Sequence, residues 1–233
     1  MTLSRDRALP LRGVPINQVV IWGATGQARV LHELLVENGP QLIALFDNDP
    51  SVSSPWPEIP LFHGPQGFAD WRSSHGDVAQ VGCLVAIGGS HGGDRVRIQR
   101  DLEAQGLTPI VAKHRTAFVA DTVKVGAGSQ ILAGAIVCTE ATLGEACIIN
   151  TAASVDHECQ LGNGVHVCPG AHLAGLVAVD DNVMIGAGAV VLPRVHIGAG
   201  AIIGAGAVVT KDVDPGARMV GIPARSMKPS RGI

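Results

Sequence analysis

From Val119 onward every sixth residue is aliphatic: Val119, Val125, Ile131, Val137, Leu143, Ile149, Val155, Leu161, Val167, Leu173, Val179, Ile185, Val191, Ile197, Ile203 and Val209. Four residues after each stands a small or β-branched residue, among them Ala135, Ala141, Cys147, Ala153, Cys159, Ala171, Ala189 and Ala207. An amphipathic helix repeats every 3.6 residues and a half-buried strand every two, so neither produces a period of six. A hexapeptide period predicts a parallel β-helix. Three hexapeptides close one triangular coil, and inward residues stack on their equivalents one coil above, about 4.8 Å away. The sixteen aliphatic steps therefore predict about five coils. Gly128, Gly134, Gly164, Gly170, Gly188, Gly200 and Gly206 fall at the fourth position, with Asn182 there too, where a corner favours positive φ.

Upstream the pattern changes. Residues 17–22 form an apolar run, followed by the tight turn Gly23–Ala28. Val30, Leu31, Leu34 and Leu35 line one face of a helix predicted over 26–38, stopped by Asn38-Gly39-Pro40. A second strand is predicted at 41–46, a Pro-rich loop at 51–65 and a short helix at 66–74. A buried strand at 81–87, a helix from 92 to 105 and a last strand at 109–112 complete the region. The expected organisation is a leader at 1–15, a small Rossmann-like α/β unit of about four strands at 16–116, an all-β parallel β-helix at 117–214, and a cap or tail at 215–233. The leader carries Arg5, Arg7 and Arg12 but no apolar centre, so it does not read as a secretory signal.

Composition narrows the function. Aromatic residues make up 3% of the 233 and Tyr is absent, as suits a prism interior filled by aliphatic side chains. A net charge of −3 gives no basic field for nucleic acid. No apolar run approaches a membrane span. The five cysteines, an odd number without a CxxC pair, point to a reduced, cytoplasmic protein.

Two stretches carry chemistry. The turn Gly23-Ala24-Thr25-Gly26 between a strand and a helix places free N–H groups where an anion binds, and Asp47-Asn48 ends the next strand, where an acid meets a ribose hydroxyl. Only about 115 residues precede the repeat, too few for both halves of a nicotinamide-binding domain, so a nucleotide or nucleotide sugar is the expected ligand. In the repeat, His157 stands at an outward position between Asp156 and Glu158, with Asn150 before it and His166 after it. A carboxylate beside an imidazole fixes its tautomer and raises its basicity. Gly175 lies one coil above His157, leaving room for a substrate and offering a backbone N–H. No metal is expected, because Cys159 points inward while His157 points outward.

At Asn150-Thr151, Val155-Asp156-His157-Glu158-Cys159, Gly162, His166-Val167 and Leu173-Ala174-Gly175 the chain resembles the sugar O- and N-acetyltransferases related to sialic-acid O-acetyltransferase and the bacillosamine-pathway N-acetyltransferase. The Gly23–Ala28 turn, Phe46-Asp47-Asn48, Ala86-Ile87-Gly88 with Arg95, His114 and the run from Val220 to Arg225 extend the likeness over nearly the whole chain. The resemblance implies a left-handed β-helix and a homotrimer with active sites at subunit interfaces. It implies acetyl-CoA as co-substrate, near Asn150, His166, Gly175, Ala187, Ala205 and Arg225. The nucleotide sugar would lie at Gly23, Ala24, Thr25, Gly26, Asp47, Asn48, Gly88 and Arg95. His157 would be the general base, oriented by Glu158 or Asp156. The implied reaction is N-acetylation of a nucleotide-linked 4-amino-4,6-dideoxyhexose in bacterial surface-glycan biosynthesis. O-acetylation of a sugar such as sialic acid is the alternative, and a non-catalytic nucleotide-binding trimeric scaffold is the alternative of another class.

Overall fold

The protein is described here by a computed structural model over residues 15–227; Arg5, Arg7, Arg12 and Lys228 lie outside the described residues. The first unit runs β1 (Gln18–Trp22), α1 (Gly26–Asn38), β2 (Gln41–Asp47), β3 (Leu61–His63), α2 (Gly64–Ser74), β4 (Val81–Val85), α3 (Gly92–Ala104) and β5 (Thr108–Pro109). The five strands form one parallel sheet in the order β3-β2-β1-β4-β5. The centre of such a sheet is covered on both faces, which is why β4 reads as an unbroken buried run, Val-Gly-Cys-Leu-Val. Strand order reverses between β1 and β4, and the carboxyl ends at such a reversal are where sheets of this kind offer a crevice to ligands.

Two sequence expectations need correction here. The sheet has five strands rather than four, because β3 is only three residues long and falls inside the Pro-rich segment, too short to show a period. The strand expected at 109–112 is two elements. Thr108–Pro109 ends the first sheet, while Ala112–Lys113 pairs with Gln130–Ile131 in the first coil of the prism. Ile110 and Val111 between them are buried, so the apolar run continues across the junction without marking it.

The repeat builds three sheets of parallel strands, with six, five and five strands from residues 118–209. Each strand has two residues and pairs with its equivalent one coil away, as Ser154 with His172 and Val155 with Leu173. The sixth-residue aliphatics and the small residues four positions on fill one continuous core. Every expected glycine corner has positive φ, and so do Glu140, Ala146, Ala152, Glu158, Leu176, Asn182 and Arg194. At these seven non-glycine positions the stacked backbone imposes the conformation; Glu158 N–H, for example, donates to Thr139 O one coil below at 3.0 Å. Beyond the repeat, Arg218–Val220 pairs with Ile202–Ile203 and adds a further rung, and Arg225–Ser226 returns antiparallel.

The first unit lies against one prism sheet. Its outward residues there, Gln130, Ile148 and His166, are buried beneath it. Gln130 accepts from Gln27 and donates to Val85 O. Arg95 was expected at the nucleotide-sugar site. Instead it is fully buried, and its guanidinium donates to Ala146 O at 3.1 Å, Ile87 O at 3.0 Å and Gly164 O at 2.6 Å. Burial lowers its pKa to about 10, which leaves it cationic at neutral pH. Its role is therefore to fasten α3 and the 87–89 turn to two prism corners.

Candidate active site

At one prism corner His157 and Glu158 form a pair. His157 Nδ1 lies 3.0 Å from Glu158 Oε2, and both side chains are about half exposed. Glu158 holds a positive φ of 59°, a conformation that costs a non-glycine residue about 1–2 kcal/mol. The corner geometry puts its carboxylate on the adjacent ring. Asp156 does something else: its Oδ1 accepts the backbone N–H of His157 at 2.7 Å. Of the two acids named as candidates, Glu158 orients the imidazole and Asp156 holds its backbone.

Above the ring is Gly175. A Cβ built there would run into His157 Nε2 and Cε1. Glycine is needed because the ring occupies the space a side chain would fill. Among the described residues, neither His157 Nε2 nor the Gly175 N–H has a hydrogen-bond partner. A basic nitrogen aimed outward and a free backbone donor therefore adjoin at one corner.

Asn150 and His166 were grouped with His157 in sequence, but the fold separates them. One hexapeptide is one side of the triangle, so Asn150 belongs to the preceding corner, roughly 15 Å away at strand rise. There the Asn150 side-chain amide meets His166 Nε2 at 3.0 Å, and His166 Nδ1 meets Gly89 O at 3.2 Å. His166 was read as an outward histidine. It does point away from the prism core, yet only 5% of it is exposed, because the 88–89 turn covers it. Both ring nitrogens are engaged, which leaves no ring nitrogen free for a thioester. In the eighteen-residue column Gln130, Ile148, His166 the outward Ile148 was the available signal of a covered face, although Ile136, outward on another sheet, is exposed.

Burial first, and the Arg95 cation second, push His166 down to about 4. The sign of the linkage is definite. The unfolded chain protonates this histidine as pH falls through 6.5, and the folded chain does not until about 4. Its contribution to stability is complete above 6.5 and is lost as pH drops towards 4. Urea unfolding across that range is expected to show a shallower acid loss in His166→Phe than in the parent protein; equal slopes would contradict the assignment.

The remaining acetyl-CoA candidates are spread out. Ala187 and Ala205 are exposed on the same corner column as Thr151, and Arg225 is exposed in the tail, its Nη1 donating to Ala224 O. The nucleotide-sugar candidates converge better. Gly23, with φ 101°, passes so close to β4 that an added Cβ would lie 2.6 Å from Ala86 O. Ala24 N–H donates to Asp47 Oδ2 at 2.9 Å, and Asp49 N–H to Asp47 Oδ1 at 3.0 Å. Asp47 thus ties the β1 turn to the β2 end. Thr25 caps α1 without a side-chain hydrogen bond, which leaves that helix N-terminus open beside exposed Gly26 and Asn48. Gly88 forms the opposite lip, next to His166. Among the described residues no cluster of three or more His, Cys, Asp or Glu side chains suits a metal, and no helix is long and apolar enough to cross a membrane.

A hexapeptide prism with a carboxylate-held imidazole beside a free N–H is built for acyl transfer. The family described as bacterial transferase hexapeptide (six repeats) matches residues 178–211. PerB from Caulobacter crescentus, solved in complex with CoA and GDP-perosamine, is 33% identical, with 93% of this chain and 100% of that chain covered and a TM-score of 0.82. The acetyltransferase domain of PglB from Neisseria gonorrhoeae is 28% identical over 91% of this chain and 100% of that one, with a TM-score of 0.80. A curated GDP-perosamine N-acetyltransferase from Escherichia coli O157:H7 is 40% identical over 92 residues, 40% of this chain and 42% of that protein. The match thus spans less than half the length of this curated relative. The chain belongs to the hexapeptide-repeat acyltransferases, and within them to the sugar acetyltransferases.

Proposed function

We propose that the protein transfers acetyl from acetyl-CoA to the amino group of a nucleotide-linked amino sugar, with a 4-amino-4,6-dideoxyhexose as acceptor. The observation that carries this is the His157–Glu158 pair with Nε2 directed past Gly175. His157 accepts the proton of the amine as its nitrogen attacks the thioester carbonyl. The C–S bond then breaks, the His157 imidazolium returns the proton to the departing sulfur so that CoA leaves as thiol, and the Gly175 N–H stabilises the oxyanion formed between these events. Transfer is direct. Burial pushes the thiols of Cys147, Cys159 and Cys168 up to about 11, which suppresses the thiolate an acyl-enzyme would need.

The same reading gives the rest of the chain its roles. Residues 16–116 are a Rossmann-like unit holding the nucleotide sugar at the crevice between the turns after β1 and β4. Residues 117–214 are the left-handed β-helix, and the described part of the tail, 215–227, caps it. The His157 corner and the Asn150 corner lie too far apart in one chain to share a substrate. A homotrimer brings one copy's His157 to a neighbour's Asn150 and its sugar-binding crevice. Exposed Phe118 and Ile136 on the sheet between these corners suit burial against that neighbour. The setting is cytoplasmic surface-glycan biosynthesis.

Acceptor identity is tested by incubating the protein with acetyl-CoA and GDP-, UDP- or dTDP-linked amino sugars, alongside hydroxyl acceptors such as sialic acid. The relatives named for GDP-perosamine make the GDP-linked sugar the first to try. One acetyl group added to the amine, seen by mass spectrometry, is the expected product. Acetylation of the hydroxyl acceptors alone would replace N-transfer with O-transfer, and no product with any acceptor would leave a binding scaffold.

A further inference from the structure

We propose that His166 is a positioning residue locked in one tautomer, and that through it the Gly88–Gly89 turn fixes the orientation of the Asn150 amide. The tautomer follows from the hydrogen bonds. Thr151 N–H donates to Asn150 Oδ1 at 2.8 Å, which identifies the oxygen end of that amide. The amide nitrogen therefore faces His166 Nε2 at 3.0 Å, and an NH₂ group only donates. Nε2 must accept. Nδ1 then carries the proton and donates to Gly89 O at 3.2 Å. A doubly protonated ring would set N–H against N–H.

The surroundings act in the same direction. The ring is buried, and the charged group acting on it is the Arg95 guanidinium of α3. The prism supplies Cys147 and Cys168 beside that guanidinium, both thiols held protonated by burial. Arg95 also clamps the turn itself through Ile87 O, and the prism corners through Ala146 O and Gly164 O. One end of the link is therefore the turn after β4, and the other is the Asn150 side chain at its own prism corner. A nucleotide sugar that settles the lip also settles Asn150. The kinetic consequence rests on the acetyl-transfer reading; the tautomer does not.

Nitrogen-15 spectra of the intact protein, labelled at histidine and followed from pH 5 to 8, decide the tautomer without any assay. The expected result is an Nδ1–H ring that does not titrate in that range. An Nε2–H ring, or a midpoint near the ordinary histidine value, would overturn the proposal. Asn150→Asp replaces the donor with an acceptor and should convert His166 to an Nε2–H or cationic ring; an unchanged tautomer would also overturn it. In turnover, His166→Phe is expected to lower kcat about 10- to 100-fold, the scale of a misplaced reacting geometry. His166→Gln, which retains a donor and an acceptor, should recover part of that loss. Equal losses in both variants with unchanged melting would contradict the positioning role. If no acetyl transfer is found at all, the spectra still stand or fall alone.

Discussion

His157→Asn lowers kcat by about 10²–10⁴-fold, the usual contribution of a positioned general base, while the protein stays folded. The two halves of this expectation have separate causes. The imidazole Nε2 has no partner among the described residues, so its basicity is free for an incoming amine. An Asn amide does not take up that proton. Stability is spared because the side chain is about half exposed and its contact with Glu158 is a surface pair. Such pairs contribute roughly 0–1 kcal/mol. Steady-state release of CoA thiol, with thermal unfolding of both proteins, measures each half. Near-normal turnover would remove His157 from the reaction. A collapsed melting transition would make it a structural residue of the corner.

Gly175→Ala is expected to cost a similar amount, about 10²-fold or more, by a different route. The new methyl would occupy the space of His157 Nε2 and Cε1, so the ring must swing away from the substrate. A displacement of about 1 Å at a reacting group costs roughly 10²-fold, and the methyl also crowds the N–H assigned to the oxyanion. The backbone at Gly175 is not in the left-handed region, unlike the glycine corners, so Ala is tolerated by the coil itself. Catalysis should therefore fall while melting changes little. Full activity in this variant would show that the ring does not work from its place over Gly175.

The prism was legible from sequence because its physics is local and repeated. Each hexapeptide carries its own inward pair, and eighteen-residue stacking turns that period into parallel pairing. The register also placed Gly175 over His157 and distinguished the inward thiols from the outward histidines. What the period could not show was which side of the triangle meets the first unit. Ile148 is fully buried and His166 nearly so, although both are outward, because a separate part of the chain lies over them. For the same reason Arg95 looked like a ligand contact and is a buried fastener. Arginine near a glycine turn reads as an anion site until its three carbonyl acceptors, two of them at Ala146 and Gly164 far along the chain, are known. Within one chain Asn150 lies apart from His157, so their nearness in sequence does not bring them together in a single copy. In a triangular coil, seven residues lead to a different corner.

His157 is expected to receive the proton of a sugar amine at the moment of acetyl transfer. The measurement that bears on it most directly is a crystal structure of the intact protein with CoA and a GDP-linked amino sugar bound together. The amine nitrogen is expected within hydrogen-bonding reach of His157 Nε2, about 3 Å, with the CoA sulfur on the Gly175 side and the nucleotide between the turns after β1 and β4. An amine bound away from His157, with another base beside it, would remove His157 from the proton transfer.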